Sequence, residues 1–167
     1  MKPPPFDPER ILETLLRHRV RFVVIGGIAG RLLGSPTVTN DLDVCYARDH
    51  KNLEALSAAL LELHATLRGA PEGLPFRLDV PTLAAGDHFT FTTDAGYFDC
   101  IGTPKGSLGF QDLIAPATTM SIADMRVPVV ALEDLMRMKE ASGRPKDRIE
   151  LEILAALKDE IDRDGRS

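Results

Sequence analysis

The chain has 167 residues, which suits one domain of ordinary size and is too short for two domains with separate cores. Hydrophobic residues make up 44% of it and charged residues 27%, so neither a disordered nor a membrane class is favoured. With 20 lysines and arginines against 25 aspartates and glutamates, the formal net charge is -5, which argues against a protein that wraps duplex nucleic acid in a surface-wide positive field.

Cysteine usage and hydropathy indicate the compartment. Cys45 and Cys100 are far apart and form no Cys-x-x-Cys pair, so neither a zinc framework nor a disulfide scaffold is supported. The start of the chain leads into charged residues without an apolar signal core, and no stretch approaches the ~20 apolar residues of a membrane span. We therefore expect a cytoplasmic protein with no membrane partner.

In the first half of the chain, apolar spacing and turn residues predict alternating helices and strands. Asp7-Pro8 begins a helix that runs to about His18, and the β-branched run at 22–25 predicts a buried strand that stops at Gly26-Gly27. The next elements are a short helix at 28–33, a strand with one wet face at 41–46, and a helix capped by Asp49 that ends before Gly69.

The second half predicts hairpins followed by helices. Residues 69–85 have a weak pattern and are expected to form a surface loop, with one short extended piece near 76–78. Strands at 88–93 and 97–102 flank the turn signal Asp-Ala-Gly, and 118–122 with 126–130 predict a second, shorter pair. Helical spacing from residue 132 precedes a break at 143–145 and a final helix through 157.

These elements predict a mixed α/β fold, in which a twisted sheet of about five strands carries helices on one face. A helical C-terminal part is expected to close over a cleft. We expect a single domain over residues 1–167, made of an N-terminal helix at 1–20, a sheet core at 21–130 and C-terminal helices at 131–164.

The strongest chemical signal joins a glycine pair to two aspartates. Gly26-Gly27 follows a strand and opens a helix, where backbone N–H groups and the helix dipole form a cradle for anionic phosphates. Asp41 and Asp43 stand two residues apart on the next strand, so their side chains point to one face about 6.5 to 7 Å apart. Carboxylates at this spacing suit one or two hard cations, of which Mg²⁺ is the natural choice.

A third carboxylate is needed if two metal ions are to lie ~3.5 to 4 Å apart for an in-line phosphoryl displacement. Asp99 is the best candidate because it lies in the apolar strand Tyr97-Phe98-Asp99-Cys100-Ile101, where a charge is unfavourable unless it has a use. Paired beside the strand at 41–46, this strand would complete a cluster of three carboxylates.

Less specific interpretations compete with these. An isolated Asp-x-Asp is commonly a turn followed by a solvated strand position, and a lysine late in a helix, such as Lys139, commonly neutralises the dipole. Asp-x-Asp also opens phosphohydrolases of the haloacid dehalogenase type, but in those an apolar strand precedes the nucleophile, whereas Thr37 to Asn40 precede Asp41 here. The histidines have no metal-ligand spacing and are expected to be surface or strand residues: His18, His50, His64 and His88.

Taken together, these residues resemble a known family. Ile-Gly-Gly at 25–27, thirteen intervening residues, Asp-Leu-Asp-Val at 41–44 and the later Asp99 are similar to the motif of the nucleotidyltransferase superfamily, which has a polymerase beta-like fold. The segment 36–43 and the segment from 132 to 147 most resemble the small AbiEii-type enzymes of toxin–antitoxin systems. The resemblance covers most of the chain between residues 22 and 157.

The resemblance implies that a nucleoside monophosphate is moved from a nucleoside triphosphate to a hydroxyl, with release of pyrophosphate. By position, Asp41 and Asp43 would bind two Mg²⁺ ions, for which Mn²⁺ could substitute, and Asp99 would hold the ion that activates the attacking hydroxyl. Gly26-Gly27 would cradle the triphosphate. Lys139 lies where related proteins have a phosphate-binding lysine.

The resemblance is incomplete at the glycine pair and leaves the acceptor open. Many members have serine where this chain has Gly27, so the N–H is kept and a hydroxyl contact to phosphate is lost; Arg144, Lys146 and Asp147 match the family less specifically. The implied acceptor is a transfer RNA end, a protein side chain or a small molecule, and the implied protein partner is a cognate antitoxin. The alternative is a catalytically silent nucleotidyltransferase-like module that binds nucleotide or a partner protein.

Overall fold

The computed structural model describes residues 4–71 and 73–165. The expectation of no signal peptide concerns the start of the chain, and residues 1–3 of that start lie outside the described residues. Helices and strands alternate in the first half, as predicted, and two hairpins and two long helices dominate the second. In chain order the elements are α1 (Pro8–Arg17), β1 (Phe22–Ile25), α2 (Gly26–Leu32), β2 (Asp41–Tyr46), α3 (His50–Glu62), β3 (Thr66–Leu67), α4 (Val80–Ala85), β4 (His88–Thr93), β5 (Gly96–Ile101), α5 (Phe110–Ile114), β6 (Thr118–Ile122), β7 (Met125–Val129), α6 (Leu132–Ser142) and α7 (Pro145–Asp164).

The strands form one mixed sheet in the order β3-β4-β5-β2-β1-β7-β6. β1 pairs antiparallel with β2 and parallel with β7, while β2 pairs parallel with β5. The described residues thus form seven strands where the sequence predicts a sheet of about five: the unpredicted β3 extends one edge, and the predicted β6–β7 pair joins the same sheet at the other edge. The predicted mixed α/β class is confirmed.

The central strand β2 contributes side chains to the hydrophobic core on one face and to the candidate site on the other. In β2, Leu42 and Val44 are fully buried on one face, while Asp41 and Asp43 lie half-buried on the other, which is the alternation that the sequence predicts. β1 is buried along its whole length, as expected for an interior strand that reads Phe-Val-Val-Ile. A fully buried β1 therefore holds β2 with its carboxylates facing the opening.

The region between α3 and β4 differs from the prediction. α3 ends at Glu62 and does not continue to residue 68, because His64 adopts a left-handed conformation with φ of 52° and turns the chain into β3. Residues 76–78 form no strand; Phe76 packs its ring 6.3 Å from that of Phe91. The end of the predicted loop is the helix α4, which Asp79 caps by accepting a hydrogen bond from the Thr82 N–H.

Other local predictions agree with the structure. The hairpin of β4 and β5 turns at Asp94-Ala95, and α6 ends at Gly143, whose φ of 66° allows the break before α7. The short α5 has no counterpart among the predicted elements. Both cysteines are free and buried. Among the described residues, no helix is long and apolar enough to cross a membrane.

Candidate active site

Three aspartates meet on the two central strands β2 and β5. The parallel register sets Asp43 beside Asp99 and Asp41 beside Tyr97. One carboxylate oxygen from each of Asp41, Asp43 and Asp99 lies within 4.8 Å of the other two. The structure thus brings together the three carboxylates that the sequence predicts as a cluster.

A glycine makes room for this cluster. Gly26 directly follows β1 with a φ of 69°, a left-handed conformation that favours glycine. A Cβ at this position would lie only 2.9 Å from Cγ of Asp43. Because the register places Ile25 opposite Asp43, the turn at Gly26 runs directly over the carboxylate. A side chain at position 26 would displace Asp43 from the cluster.

The charges of the cluster are poorly balanced. Burial, and then the negative charges of Asp41 and Asp99, raise the pKa of Asp43 to about 8. Burial also raises the pKa of Asp99, and Asp41 adds to the effect, although Arg68 opposes it. Asp43 and Asp99 lie side by side in the strand register, with carboxylate oxygens within 4.8 Å of each other. At neutral pH the metal-free cluster therefore retains a proton on Asp43, because three ionised carboxylates so close together repel one another.

The cluster fits divalent cations. Its donors are carboxylate oxygens, the ligands that Mg²⁺ and Mn²⁺ prefer, and they converge within 4.8 Å. The raised pKa of Asp43 has the same implication, because a bound cation would remove the repulsion that now holds the proton. Asp41, Asp43 and Asp99 could therefore hold one or two such ions.

The second glycine of the pair faces a different side chain. A Cβ at Gly27 would lie 2.9 Å from Cβ of Thr39, and the Thr39 hydroxyl donates a 2.7 Å hydrogen bond to Oδ1 of Asp41. Thr39 thus occupies the space that a serine side chain at position 27 would need. The departure of Gly27 from the family motif is accompanied by a threonine that orients the first aspartate of the cluster.

Lys139 lies in the cleft but is bound to a carboxylate of the neighbouring helix. Its Nζ is 3.4 Å from Oδ1 of Asp147, whose side chain is only 1% exposed. Arg144 and Ser142 also donate to Asp147, at 2.6 and 2.7 Å. Burial by itself would raise the pKa of Asp147, but these two hydrogen bonds and the charges of Lys139 and Arg144 hold it at about 2. Lys139 is still close enough to Asp43 for its charge to lower that pKa.

Arg68, like Thr39, contacts the cluster without having been predicted from the sequence. Its guanidinium donates to Oδ1 of Asp99 at 2.8 Å and lies over the ring of Tyr97, 4.0 Å from the centroid. Since residue 68 follows a strand that the sequence does not predict, no local signal connects it to the cluster. A basic residue close to an edge strand can indicate such a contact, but only where the edge strand itself is predicted, and β3 is not.

The cluster opens into a cleft with two connected parts. One part has a volume of about 550 Å³ and is lined by Gly26, Asp43 and Lys139, among others. The other has a volume of about 250 Å³, and its lining includes Gly27, Asp41 and Asp99. Asp43 and Lys139 line both parts. Several polar residues of the walls had no predicted role: Asp87, His88, Thr103, Lys105 and Glu150. His88 begins β4, so the expectation of a strand histidine holds, although this one faces the cleft.

α7 supports the wall of the smaller part. Glu150 is buried and accepts hydrogen bonds from the hydroxyls of Ser35, at 3.0 Å, and Thr37, at 2.5 Å. These bonds fix the loop between α2 and β2, which carries Thr39 and leads into Asp41. The C-terminal helices thus hold the approach to the first aspartate as well as Lys139.

No protein-family model matches the chain, and no curated protein is significantly similar to it in sequence. Solved structures share its fold. The lincosamide antibiotic adenylyltransferase LnuA, with lincomycin bound, superposes with a TM-score of 0.60 at 14% identity over 90% of this chain and 95% of that one. A candidate nucleotidyltransferase from Thermotoga maritima gives 0.56 at 17% identity over 89% and 94%. The antibiotic-resistance factor ANT(2'')-Ia gives 0.53 at 15% over 89% and 80%. The fold is thus nucleotidyltransferase-like.

Proposed function

We propose that this protein is a metal-dependent nucleotidyltransferase that moves a nucleoside monophosphate from a nucleoside triphosphate to a hydroxyl group. The observation that carries the proposal is the convergence of Asp41, Asp43 and Asp99 within 4.8 Å. All three line the smaller part of the cleft, and Asp43 also lines the larger part. A fold shared with adenylyltransferase LnuA supports it. In the reaction, the hydroxyl oxygen bonds to the α-phosphorus, the bond from that phosphorus to the bridging oxygen breaks, and pyrophosphate leaves.

Each part of the site has a task in this reaction. Divalent cations held by Asp41, Asp43 and Asp99 would neutralise charge on the triphosphate and make the attacking hydroxyl more acidic. Asp99 serves the acceptor side, where it receives the hydroxyl proton. Lys139 lines both parts of the cleft and carries positive charge toward the phosphates. Gly26 and Gly27 let the backbone approach the triphosphate closely, as the family resemblance implies.

We propose a small molecule as the acceptor. The two parts of the cleft, about 550 and 250 Å³, have the size of pockets that hold small ligands. The net charge of -5 disfavours a large RNA such as transfer RNA. LnuA, which shares the fold, has lincomycin bound. A hydroxyl-bearing compound of antibiotic size therefore fits better than a transfer RNA end or a protein side chain.

The more specific resemblance, to small AbiEii-type enzymes of toxin–antitoxin systems, stays a prediction. Under that reading the transfer inactivates a cellular acceptor and a cognate antitoxin protein blocks it. Expression of the wild type should then arrest growth, while expression of Asp41→Asn should not. Equal growth of both strains would contradict the toxin role and leave the transferase proposal intact.

The transferase proposal is tested with labelled triphosphates. The purified protein is incubated with each α-labelled nucleoside triphosphate and Mg²⁺, together with hydroxyl-bearing antibiotics, transfer RNA or a cell extract, and the labelled fraction is identified. We expect label on a small molecule with the wild type and none with Asp41→Asn. Saturable, chelator-sensitive triphosphate binding without label in any fraction would favour the catalytically silent module. Absence of binding would overturn the site assignment.

A further inference from the structure

A row of residues crosses the sheet from its edge to the cluster. Arg68 follows β3 directly and donates its backbone N–H to the Thr90 carbonyl at 2.9 Å. Thr90 lies opposite Asp99, and Asp99 lies beside Asp43. Because residues aligned across neighbouring strands share a face, all four side chains stand on the face that carries the cluster. The sheet register therefore aims Arg68 at Asp99 across the intervening threonine.

Arg68 is fixed at several points. Its guanidinium donates to Oδ1 of Asp99 at 2.8 Å and to the Phe91 carbonyl at 2.7 Å, and it lies 4.0 Å from the centre of the Tyr97 ring. The side chain is 27% exposed, so the ion pair is partly shielded from water. Nε of Arg68 is buried without a hydrogen-bond partner among the described residues, which is unfavourable for stability. Packing alone does not account for an arginine held in this way.

We propose that Arg68 is a resident counter-charge of the three-aspartate cluster, a positioning residue that orients Asp99 and limits how tightly the cluster binds divalent cations. The proposal rests on the proposed function, since it assigns the cluster to metal ions. Asp99 lies between the guanidinium of Arg68, at 2.8 Å, and the carboxylate of Asp43, whose oxygen is within 4.8 Å. Arg68 therefore fixes the aspartate that serves the acceptor while it competes with cations for the same carboxylate.

The sign of the effect follows from charge. Among the described residues, Arg68 acts on Asp99 and Lys139 acts on Asp43, and that lysine is already paired with Asp147. Neutralising Arg68 removes one positive charge from beside Asp99. The cluster becomes more negative and should bind a divalent cation about tenfold more tightly or better. A residue that only stabilised the fold would have the opposite effect or none, because its loss would loosen the three carboxylates.

The experiment measures binding of Mn²⁺ alone, by the loss of the free-ion electron paramagnetic resonance signal, in four proteins: wild type, Arg68→Gln, Arg68→Lys and Arg137→Gln. Arg137 is the matched control: like Arg68 it combines an aspartate ion pair with a hydrogen bond to a backbone carbonyl, here that of Gly106, but its aspartates, Asp112 and Asp134, lie outside the cluster. We expect about tenfold tighter Mn²⁺ binding in Arg68→Gln only. Arg68→Lys keeps the charge and should bind as the wild type does.

The outcomes separate this inference from the function on which it rests. Equal or weaker Mn²⁺ binding by Arg68→Gln, or equal tightening in Arg137→Gln, overturns the role of Arg68 while the metal site stands. If Arg68→Gln does not fold, Arg68→Met, which keeps an apolar stem without the charge, decides by the same comparison: tightened binding supports the role, and wild-type or weaker binding overturns it. A wild type that binds no Mn²⁺, or binds it as well after Asp41→Asn, overturns the metal site itself.

Discussion

Lys139 lies between Asp147 and the three-aspartate cluster, and the negative charges of these two groups are neutralised to very different degrees. Asp147 is 1% exposed and is surrounded by donors from Ser142, Lys139 and Arg144, so its pKa falls to about 2. Asp43 faces two further aspartates, and burial together with their charges raises its pKa to about 8. Asp147 is fully paired within the chain, whereas Arg68 and Lys139 only partly offset the three negative charges of the cluster that contains Asp43.

The difference separates a structural role from a functional one. A carboxylate with complete partners stabilises the junction of α6 and α7 and needs nothing from solution. Crowded carboxylates with incomplete partners destabilise the fold, and a protein retains such an arrangement where a ligand completes it. The comparison therefore supports the proposed cation site at the three-aspartate cluster and a structural role for Asp147, which holds Lys139 and α7 in place.

The largest expected effect is loss of transfer in Asp41→Asn or Asp43→Asn. Each variant removes a carboxylate from both the cation and the triphosphate site, so transfer should fall at least about a thousandfold, equivalent to ~4 kcal/mol of barrier. Triphosphate binding in Mg²⁺ should fall with it. Rates from the labelling assay and isothermal titration measure the two quantities. Transfer by either variant at the wild-type rate would exclude that residue from the reaction.

Asp99→Asn sharpens the distinction within the cluster. In the proposed reaction Asp99 serves the attacking hydroxyl, so this variant should keep triphosphate binding within about threefold and lose transfer by about a hundredfold or more. The same two measurements apply, with Asp41→Asn as the variant that loses both. Loss of triphosphate binding equal to that of Asp41→Asn would contradict the separate role of Asp99.

Asp147→Asn should act on stability. Removal of a buried, paired carboxylate leaves Lys139 and Arg144 without their partner and should cost about 3 kcal/mol of unfolding free energy, or ~6 to 12 °C in Tm at this size. Because the pKa of Asp147 is depressed to about 2, its stabilisation is present above the ordinary value near 3.8 and is lost as the pH falls toward 2.

The control for Asp147→Asn lies on the same helix. Asp162 pairs with Lys158 at 2.9 Å on the exposed face of α7, so Asp162→Asn should leave Tm nearly unchanged. Thermal unfolding followed by circular dichroism compares the variants. Equal melting of Asp147→Asn and Asp162→Asn would show that the partners around Asp147 contribute no more than a surface pair.

The contrast between the two groups also explains what could be predicted from the sequence. Asp41 and Asp43 can be predicted from the local sequence, because side chains two residues apart in a strand point to the same face. Asp99 is conspicuous as a charge in an apolar strand. Their meeting was expected, and the parallel register of β2 with β5 supplies it.

Arg68 and Asp147 depend on contacts that no local pattern specifies. Arg68 reaches Asp99 only because His64 ends α3 early and β3 pairs with β4, whereas the apolar spacing continues past Glu62. Asp147 meets Lys139 eight residues away because Gly143 reverses the chain between α6 and α7. The break was predicted, but the direction in which α7 leaves it was not.

The central claim is that Asp41, Asp43 and Asp99 form a site whose negative charge is completed by a bound cation. It is tested most directly by melting the wild type and Asp43→Asn at about pH 6 and about pH 8.5, in chelator and in Mg²⁺. A raised pKa means that the stability due to the proton on Asp43 is present at low pH and is lost as the pH rises through about 8. The wild type should therefore match Asp43→Asn in chelator only near pH 4, and it should already be the less stable of the two at pH 6.

From the lower to the higher pH in chelator, the wild type should lose about 2 kcal/mol more than Asp43→Asn, or ~4 to 8 °C in Tm. Mg²⁺ should restore the wild type and should stabilise the variant much less, because only the intact cluster binds the ion tightly. The same pH dependence in both proteins, with the same response to Mg²⁺, would contradict a cation site built from these three carboxylates.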